Sequence, residues 1–407
     1  MFPLHRILFS FCLAVSAGQL LGQDAPKVHT KNGVGIVTAD SSFALNIRFR
    51  LQNRVGASVN GDEDETKLTG MEFRARRVRL RLDGHVINPK IQYALQLSFT
   101  RGDQDWDNSG VPNVLRDAMI FYEPNSNFRI GFGQGKLPGN RQRVISSGEL
   151  QLVDRSLLNA RLNVDRDFGA FAHYRFHTGK AFWFLRGAVS SGEGRNEGVS
   201  KSEVAANPGL CYTGRIEFLP LGLFTGRNDY SEGDQAREKQ AKISLAGGAS
   251  FNDNAVRSGA QLGRSLYEAR DITTLMFDGV FKYRGYALSA EYMRRYTPGA
   301  SSLTESDSGA KEYIYDGEGY NVQTSYLFKN NFELVGQYVK MVPLAETRQS
   351  SSLGKIVHQY TFGVNKYLKG HRVKLQFDAT YELLLSPFDN GFDTNNYYAR
   401  FQIELGI

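Results

Sequence analysis

Strict alternation of apolar and polar side chains runs through most of the chain after its first forty residues. Residues 77–82 read Arg, Val, Arg, Leu, Arg, Leu, and period two is the repeat of a β-strand. The C-terminal stretch alternates in the same way, with Phe401, Ile403 and Leu405 on one face. Reading the whole chain for this repeat predicts about sixteen strands.

The connections between these strands alternate between short and long. Short turns are predicted near Pro89, at residues 123–127 and at residues 177–180, and longer polar stretches lie between them. Outer-membrane barrels have that asymmetry, with tight periplasmic turns and long external loops. Residues 219–240 break the rule, because they form a long connection where a turn is due.

The predicted fold is therefore all-β: a transmembrane antiparallel β-barrel. A soluble sandwich or propeller would also alternate along its strands, so alternation alone does not decide. The loop asymmetry favours the barrel, and so does an export signal predicted at the N-terminus. A closed barrel is the arrangement in which strands can cross a bilayer with every backbone group paired.

The N-terminus has the pattern of an export signal. A short basic stretch ending at Arg6 precedes a run of apolar residues that is too short to span a membrane. We predict a signal peptide at residues 1–22 and one barrel domain at residues 23–407. Export of a barrel places it in the bacterial outer membrane.

Composition agrees with a barrel that has a wet interior. The chain contains 42 Gly, 27 Phe and 20 Tyr, and its mean hydropathy is −0.38. Half of each strand in such a barrel faces water, so a polar average is expected. Only Cys211 follows the signal peptide, which excludes an internal disulfide in the mature chain.

The alternation also assigns the arginines of residues 77–82 to one face. An arginine facing lipid at the bilayer midplane costs about 2–4 kcal/mol, so Arg77, Arg79 and Arg81 are predicted to face the lumen. Inward side chains follow one another at about 7 Å along a strand. The three arginines would form a vertical series of cations.

The preceding strand contributes three more inward arginines. Arg48, Arg50 and Arg54 share one parity. A hairpin turn near residues 64–66 would place Arg50 opposite Leu80, so that the two arginine series face each other across the hairpin. Self-repulsion of such a cluster would lower stability, and anions in the pore would offset it.

Arg74 and Arg76 do not follow the parity of the three arginines after them. They are compatible with an inward series only across a β-bulge between Arg76 and Arg77, or above the membrane band. This position is the weak point of the face assignment.

A lumen lined with arginines indicates an anion channel. Guanidinium presents a planar fork to two oxygens and stays charged, which suits phosphate. Two alternatives remain open. One is a general porin in which basic and acidic walls balance, and the other is a structural or adhesion barrel whose long loops bind partners.

Several stretches resemble the phosphate-selective porin O and P family of outer-membrane channels. They include residues 73–84, the pair Ser146-Ser147, residues 154–157 and 165–169, and the YSEGD stretch that starts at Tyr230. The resemblance extends over essentially the whole mature chain. It also accounts for the long connection, since members of the family tend to carry an insertion there.

The resemblance implies a sixteen-stranded barrel, usually trimeric, in which the third external loop folds inward and constricts the pore. That loop would be residues 137–166, with Lys136 at its edge. The resemblance further implies that the protein's partners are small anions such as phosphate and polyphosphate, together with membrane lipid and lipopolysaccharide. The candidate anion path comprises Arg48, Arg50, Arg54, Arg77, Arg79, Arg81, Lys136, Arg141, Arg143, Arg155, Arg161 and Arg166.

No other chemistry is indicated by the sequence. His173 and His177 share parity on one strand, but no third ligand or carboxylate joins them at metal-site spacing. The sequence predicts no enzyme activity, no metal, no cofactor and no nucleic-acid partner.

Overall fold

The alternating stretches of the sequence form antiparallel strands, each hydrogen-bonded to its neighbour along the chain. The computed structural model describes residues 26–30, 33–61, 66–100, 114–195, 209–259, 263–388 and 393–407. The predicted signal peptide lies outside the described residues, and so it stays a prediction.

Twenty strands are numbered in chain order. They are β1 (Lys27–His29), β2 (Val34–Val37), β3 (Phe43–Gly61), β4 (Thr66–Val86), β5 (Ile91–Ser98), β6 (Leu115–Asn125), β7 (Phe128–Lys136), β8 (Arg166–Thr178), β9 (Ala181–Ser190), β10 (Cys211–Leu219), β11 (Lys242–Arg257), β12 (Ser265–Tyr283), β13 (Tyr286–Tyr296), β14 (Leu303–Glu305), β15 (Lys311–Tyr313), β16 (Gly317–Leu327), β17 (Phe332–Pro343), β18 (Ile356–Lys369), β19 (Val373–Leu385) and β20 (Thr394–Gly406).

The last strand closes the barrel on the first long one. β20 pairs with β3 from Asn395↔Gly61 to Gly406↔Arg50, so β3–β13 and β16–β20 form a closed barrel of 16 strands. Beyond the end of β20, the edge of β3 pairs with β2, and β2 pairs with β1. β14 and β15 form a separate hairpin. The predicted fold class and strand number are confirmed.

Helical structure is short in the described part of the chain. The α-helical segments are Arg141–Val144 and Leu157–Leu162, and the 3-10 segments are Thr225–Tyr230 and Ala345–Gln349. No helix among the described residues is long and apolar enough to cross a membrane. Ser156 caps the Leu157–Leu162 helix, because its Oγ accepts the Asn159 amide at 3.2 Å.

The two faces of the barrel wall differ as the alternation predicts. In β16, inward Asn321 and Gln323 are buried whereas outward Tyr320 and Val322 are exposed. The outward Phe73 is 71% exposed, but the inward Arg77 is only 4% exposed. An apolar exterior and a polar lumen wall are what a bilayer and a channel require.

Aromatic side chains collect at both ends of this apolar exterior. Near the long-loop end, Tyr338, Tyr360, Tyr381 and Tyr397 lie side by side on successive strands, with ring centroids 4.9 to 6.2 Å apart. Near the turn end, Tyr174, Phe176, Trp183 and Phe218 stack in the same way. Such girdles mark the two membrane interfaces of outer-membrane barrels.

The connection between β7 and β8, residues 137–165, lies inside the barrel; we call it the lumen loop. Its side chains bind Asp278 of β12 and Glu333 of β17, and its Val153 amide donates to Asp378 of β19, so the loop contacts strands all around the wall. A segment that reaches walls on opposite sides of a closed barrel must lie within it.

The lumen loop packs against an apolar part of the wall. Leu137, Leu158 and Leu162 are buried in one cluster with the inward Met276 and Met341, among others. The expectation of a wholly aqueous interior is therefore wrong. Part of the lumen is a dry core, because the loop brings its own leucines to cover apolar wall residues.

The hairpin of β3 and β4 differs from the predicted register by one residue. Arg50 pairs with Arg79 rather than with Leu80, and Arg48 pairs with Arg81. The register shifts after Gln52↔Arg77, and the next pair is Asn53↔Ala75.

Arg76 is therefore the extra residue of a β-bulge at this shift, as the parity argument required. After the bulge, Arg74 returns to the inward face, opposite Arg54. The prediction of inward arginines on both strands is confirmed, and its weak point is resolved by the bulge.

A charge on the outer face should interfere with membrane assembly. Leu80 lies outward, between Phe49 of β3 and Leu97 of β5. Leu80→Arg should destabilise the inserted barrel by about 2–4 kcal/mol if the site lies near the midplane. The measurement is the fraction of refolded protein with the mobility of the closed barrel on a semi-native gel. Leu80→Val is the control, and equal folded fractions for both variants would contradict the face assignment.

Candidate functional site: the arginine side of the lumen

Asp154 of the lumen loop accepts hydrogen bonds from three wall arginines, and a fourth, Arg400, lies 3.8 Å from its carboxylate. Arg54 Nη1 donates to its Oδ2 at 2.7 Å, while Arg77 Nη2 and Arg76 Nη2 donate to its Oδ1 at 3.0 and 3.3 Å. Arg54 Nη2 also donates to the Val153 carbonyl at 2.9 Å. The loop is thus held against β3 and β4 by charge-assisted hydrogen bonds.

Burial alone would raise the pKa of Asp154, but Arg76, Arg77 and Arg54 hold it well below its usual value. The carboxylate therefore stays ionised in the folded protein. The expected repulsion within the arginine series is offset here by a carboxylate of the loop, not only by mobile anions as the sequence suggested.

Ser146 and Ser147 make the second contact between the lumen loop and the arginines. Arg50 donates to both hydroxyls at 3.0 Å, and Arg79 Nη1 donates to Ser147 Oγ at 2.7 Å. On the wall, Glu404 lies 3.6 Å from Arg50 Nε and 3.4 Å from the Lys374 ammonium. Arg50 and Arg79, which face each other on β3 and β4, are thereby tied to the same loop turn.

A chain of alternating charges connects the end of the loop to the wall. Arg143 pairs with Asp165, Asp165 Oδ1 accepts from Arg166 at 3.2 Å, and Arg166 Nε donates to Asp117 at 2.7 Å. Burial opposes ionisation of Asp165, but Arg143 and Arg166 hold its pKa far below the usual value. This series of ion pairs holds Arg143 and Asp165, which lie near the two ends of the loop, against the β6–β8 wall.

A cavity of about 550 Å³ opens between this network and the turn end of the barrel; we call it the turn-side cavity. Its charged lining comprises five cations and two carboxylates, a formal charge of +3: Arg79, Arg81, Arg129, Lys136 and Arg166 against Asp83 and Asp117. A concave site with an excess of cations raises the local concentration of anions.

The cations of this cavity differ in how they are compensated. Arg81 and Arg166 each bind a carboxylate. Lys136 instead donates to the carbonyls of Val144 and Ile145 at 2.9 and 3.1 Å. Arg129 donates to Gln92 and lies over the Phe121 ring, with 3.7 Å from its guanidinium carbon to the ring centre. Neutral partners leave the charge of these two groups available to a solute.

A second cavity, of about 610 Å³, opens toward the long-loop end. Its charged lining is Arg161, Arg264, Arg295 and Lys311 against Glu312. Arg161 lies over the Tyr315 ring at 5.4 Å, and Arg295 donates to three carbonyls of the lumen loop. Cationic cavities therefore flank the lumen loop on both sides.

The predicted site residues fall into separate groups. Arg48, Arg50, Arg54, Arg77, Arg79 and Arg81 line the β3–β4 wall, while Lys136, Arg143 and Arg166 adjoin them. Arg155 points into the loop itself and donates to the Gln142 and Ile145 carbonyls. Arg141 lies elsewhere, buried against Asp278 and Ser244 on the other side of the lumen. The structure does not bring Arg141 to the arginine side.

The described chain matches a known family of membrane channels. A family model of the phosphate-selective porins O and P matches residues 46–382. The chain belongs to that family. A protein of Aquifex aeolicus described as uncharacterized is 23% identical over 360 residues, which cover 83% of this chain and 82% of that protein.

Solved porins share the fold of this family member. An anion-selective porin from Comamonas acidovorans superposes with a TM-score of 0.55 at 12% identity, covering 89% of this chain and 100% of that one. The outer-membrane channel DcaP of Acinetobacter baumannii gives 0.55 at 13% identity, covering 90% and 98%. OmpF of Salmonella typhi gives 0.54 at 12% identity, covering 90% and 98%. Family and fold together identify an outer-membrane porin channel.

The motifs that carried the family resemblance are the contact residues of this porin's lumen. Ser146-Ser147 binds Arg50 and Arg79, Asp154 binds three arginines, and Ser156 caps the loop helix. Asp167 accepts hydrogen bonds from Ser191 and from the Gly192 and Gly194 amides. Each motif therefore holds a connection of the chain in place.

Sequence reasoning missed several cations that the porin places in the lumen, among them Arg129 and Lys374. Arg129 shares parity with Gly131, Gly133 and Gly135 of β7, so the alternation marked it as inward. Lys374 of β19 is fully buried and donates to the Gly148 and Leu150 carbonyls of the lumen loop. Its inward parity was also readable, but its loop partners were not, because they are more than two hundred residues away.

The contact at Asp154 should survive mild acid. A carboxylate with a depressed folded pKa contributes stability above its unfolded pKa of about 3.9, and loses it only as the pH falls through the lower folded value. Open-channel current noise in a planar bilayer should therefore be unchanged between neutral pH and about pH 4.5. A rise in noise with a midpoint in that window would contradict the depressed pKa.

Proposed function

We propose that this porin passes small anions by passive diffusion along the arginine side of its lumen, and that phosphate or polyphosphate is the preferred solute class. The observation that carries the proposal is the turn-side cavity, with five cationic groups against two carboxylates. Rings of Arg and Lys give channels their preference for anions.

Phosphate is favoured within the class of anions by the donors that line the route. Guanidinium forks bind two phosphate oxygens at once, and an ammonium adds a strong point charge. Arg79, Arg81 and Arg166 supply such forks, and Lys136 supplies the ammonium. The proposed anion path also includes Arg48, Arg50, Arg54 and Arg77 on the wall, Arg143 beside them, and Arg161 in the second cavity, at the long-loop end.

Planar-bilayer recording tests this proposal directly. Purified protein under a KCl gradient should give a reversal potential of the anion-selective sign. Adding phosphate at sub-millimolar concentration should block the chloride current if phosphate occupies a specific site. A cation-selective sign would overturn the arginine argument, and absence of any open-channel current would favour a structural or adhesion barrel.

The phosphate preference can fail while anion selectivity stands. If sulfate and phosphate both leave the chloride current unaffected, the protein is a general anion porin. If sulfate blocks as strongly as phosphate, the lumen binds tetrahedral anions by their charge and shape and does not select phosphate.

We also propose a homotrimer, as the family resemblance implies. Small outward residues form a shallow apolar depression of about 870 Å³ on the outer surface of β6–β10. Ala172, Gly187 and Gly214 align across neighbouring strands in its floor, and small residues let two barrels approach closely. In the membrane, lipid and lipopolysaccharide would cover the rest of the exterior. Gly187→Trp should lower the mass of the detergent-solubilised assembly to that of one chain.

A further inference from the structure

The connection between β10 and β11, residues 220–241, crosses the turn end of the lumen; we call it the floor segment. Near its middle, Tyr230 contacts Glu217 of β10 and Arg186 of β9. Farther along, the Glu232 carbonyl contacts His371, in the turn between β18 and β19, at 3.1 Å. The segment therefore extends from the β9–β10 wall to the opposite β18–β19 wall.

The floor segment is fastened at each of its turns. The buried ammonium of Lys282 binds the Asn228, Ser231 and Gly233 carbonyls. Asp234 accepts the Gly285 amide at 2.7 Å, which holds the segment to the β12–β13 turn. Because so many of its backbone groups and buried charges are hydrogen-bonded, the floor segment is a well-ordered part of the fold.

Glu232 joins the floor segment to the lumen loop. Its carboxylate accepts the Gln151 amide at 2.8 Å and the Gln142 side chain at 3.1 Å, and its own amide donates to the Glu149 carbonyl at 3.0 Å. Gln323 of the wall donates to the same carboxylate at 3.1 Å. The two internal segments thus form one body that fills this side of the barrel.

The wall behind that body holds four inward carboxylates, which are balanced by four inward cations of β9–β13: Arg186, Arg215, Lys282 and Arg295. Glu217, Asp278, Glu291 and Glu333 are inward and buried at 0 to 7% exposure. Of these, Glu291 accepts from Asn140 and from the Gln142 amide, and Glu333 accepts from Gln151, Asn365 and Tyr367. These partners are neutral donors, so the two carboxylates would attract cations if a solute could reach them.

The turn-side cavity lies on the other side of the lumen. Its lining comes from β4–β8, the β4–β5 turn and residues 144–147 of the lumen loop, and no described residue of the floor segment takes part. The open side therefore has an excess of cations, whereas on the covered wall cations and carboxylates balance.

We infer that the floor segment determines selectivity, by covering the half of the lumen whose charges balance and leaving the arginine side as the route for solutes. This inference rests on the proposed anion preference and adds a second cause of it. The covered wall would otherwise offer cations a parallel path, because Glu291 and Glu333 have neutral partners and carboxylates facing water draw cations into a pore. Anion preference then depends on which charges are hidden as well as on which are displayed.

The test replaces residues 229–233 by Gly-Ser-Gly-Ser-Gly, which removes Tyr230 and Glu232 but keeps the anchors Asn228 and Asp234. Single-channel conductance should rise and the reversal potential should move toward zero. Unchanged conductance and reversal potential in a correctly folded barrel would overturn the inference. The control is the same kind of replacement at residues 306–309, an exposed turn of the β14–β15 hairpin, which should leave both values as in the wild type.

A smaller change guards against failure of that variant to fold. Gly233 has φ of +69°, and a Cβ there would lie 2.5 Å from Glu333 Oε1 and 2.8 Å from Gln151 Nε2. Gly233→Val should therefore displace the floor segment, raise the single-channel conductance and move the reversal potential toward zero. Wild-type conductance and reversal potential in this variant would contradict the inference.

The wild type separates the two proposals. If it shows no anion preference, the proposed function fails. A rise in conductance without any cation current in either variant would mean that the floor segment narrows the pore but does not select, and would overturn the inference alone.

Discussion

Exchanging Arg81 and Arg129 for glutamate should turn an anion-preferring channel into one that prefers cations. The charged groups of the turn-side cavity sum to +3, from five cations and two carboxylates. Two Arg→Glu changes remove four charges and leave −1. Both side chains are partly exposed to the cavity, so the exchange alters the field of the route without emptying a packed site.

The measurement is the reversal potential of single channels under a KCl gradient, which should change sign. Arg294→Glu with Lys366→Glu is the control, because it makes the same change of charge on the outer surface of the barrel. If the control shifts the potential as far as the lumen pair does, the selectivity arises from the overall charge of the protein and not from the cavity.

Asp154→Ala should detach the lumen loop from the β3–β4 wall. The substitution leaves Arg54 and Arg77, both buried, without their shared carboxylate. Removing one partner from a buried ionic network costs about 3–5 kcal/mol. The barrel strands do not depend on this contact, so the loss should fall on loop docking while the barrel stays closed.

Loop docking is measured by open-channel noise and by cleavage of the loop with a protease that cuts after arginine. Both should increase in Asp154→Ala, and Asp154→Asn should fall between the variant and the wild type, because one acceptor oxygen remains. A quiet and protease-resistant Asp154→Ala channel would show that the other contacts of the loop, such as those of Ser146 and Ser147 with the arginines and the packing of Leu158 and Leu162, hold it without Asp154.

The strands and their faces were predictable because a barrel wall imposes period two on the sequence. Arg79 and Phe401 could be assigned to opposite faces from parity alone. The register of the β3–β4 hairpin was not predictable, because Arg76 forms a bulge and each bulge shifts every later pair by one. The bulge itself was foreseen only because two arginines had the wrong parity.

The roles of the candidate residues were less predictable than their faces. Arg54 and Arg141 look alike in the sequence, yet one binds the lumen loop on the arginine side and the other is buried against Asp278. Parity tells which side chains enter the lumen, but not which of them a loop will cover. That depends on contacts such as Asp154 with Arg54, which join residues a hundred positions apart.

The dry packing inside the barrel has a consequence for assembly. The lumen loop binds Lys374, 226 residues later in the chain, and Arg54 on the strand that seals the barrel. Such long-range contacts form late, because the intervening chain must first be ordered. The inner segments therefore complete their docking only when the last strands reach the β20–β3 seam. A closed barrel without these contacts would be a wide and poorly selective hole, so docking of the inner segments is the assembly step that protects the cell's permeability barrier.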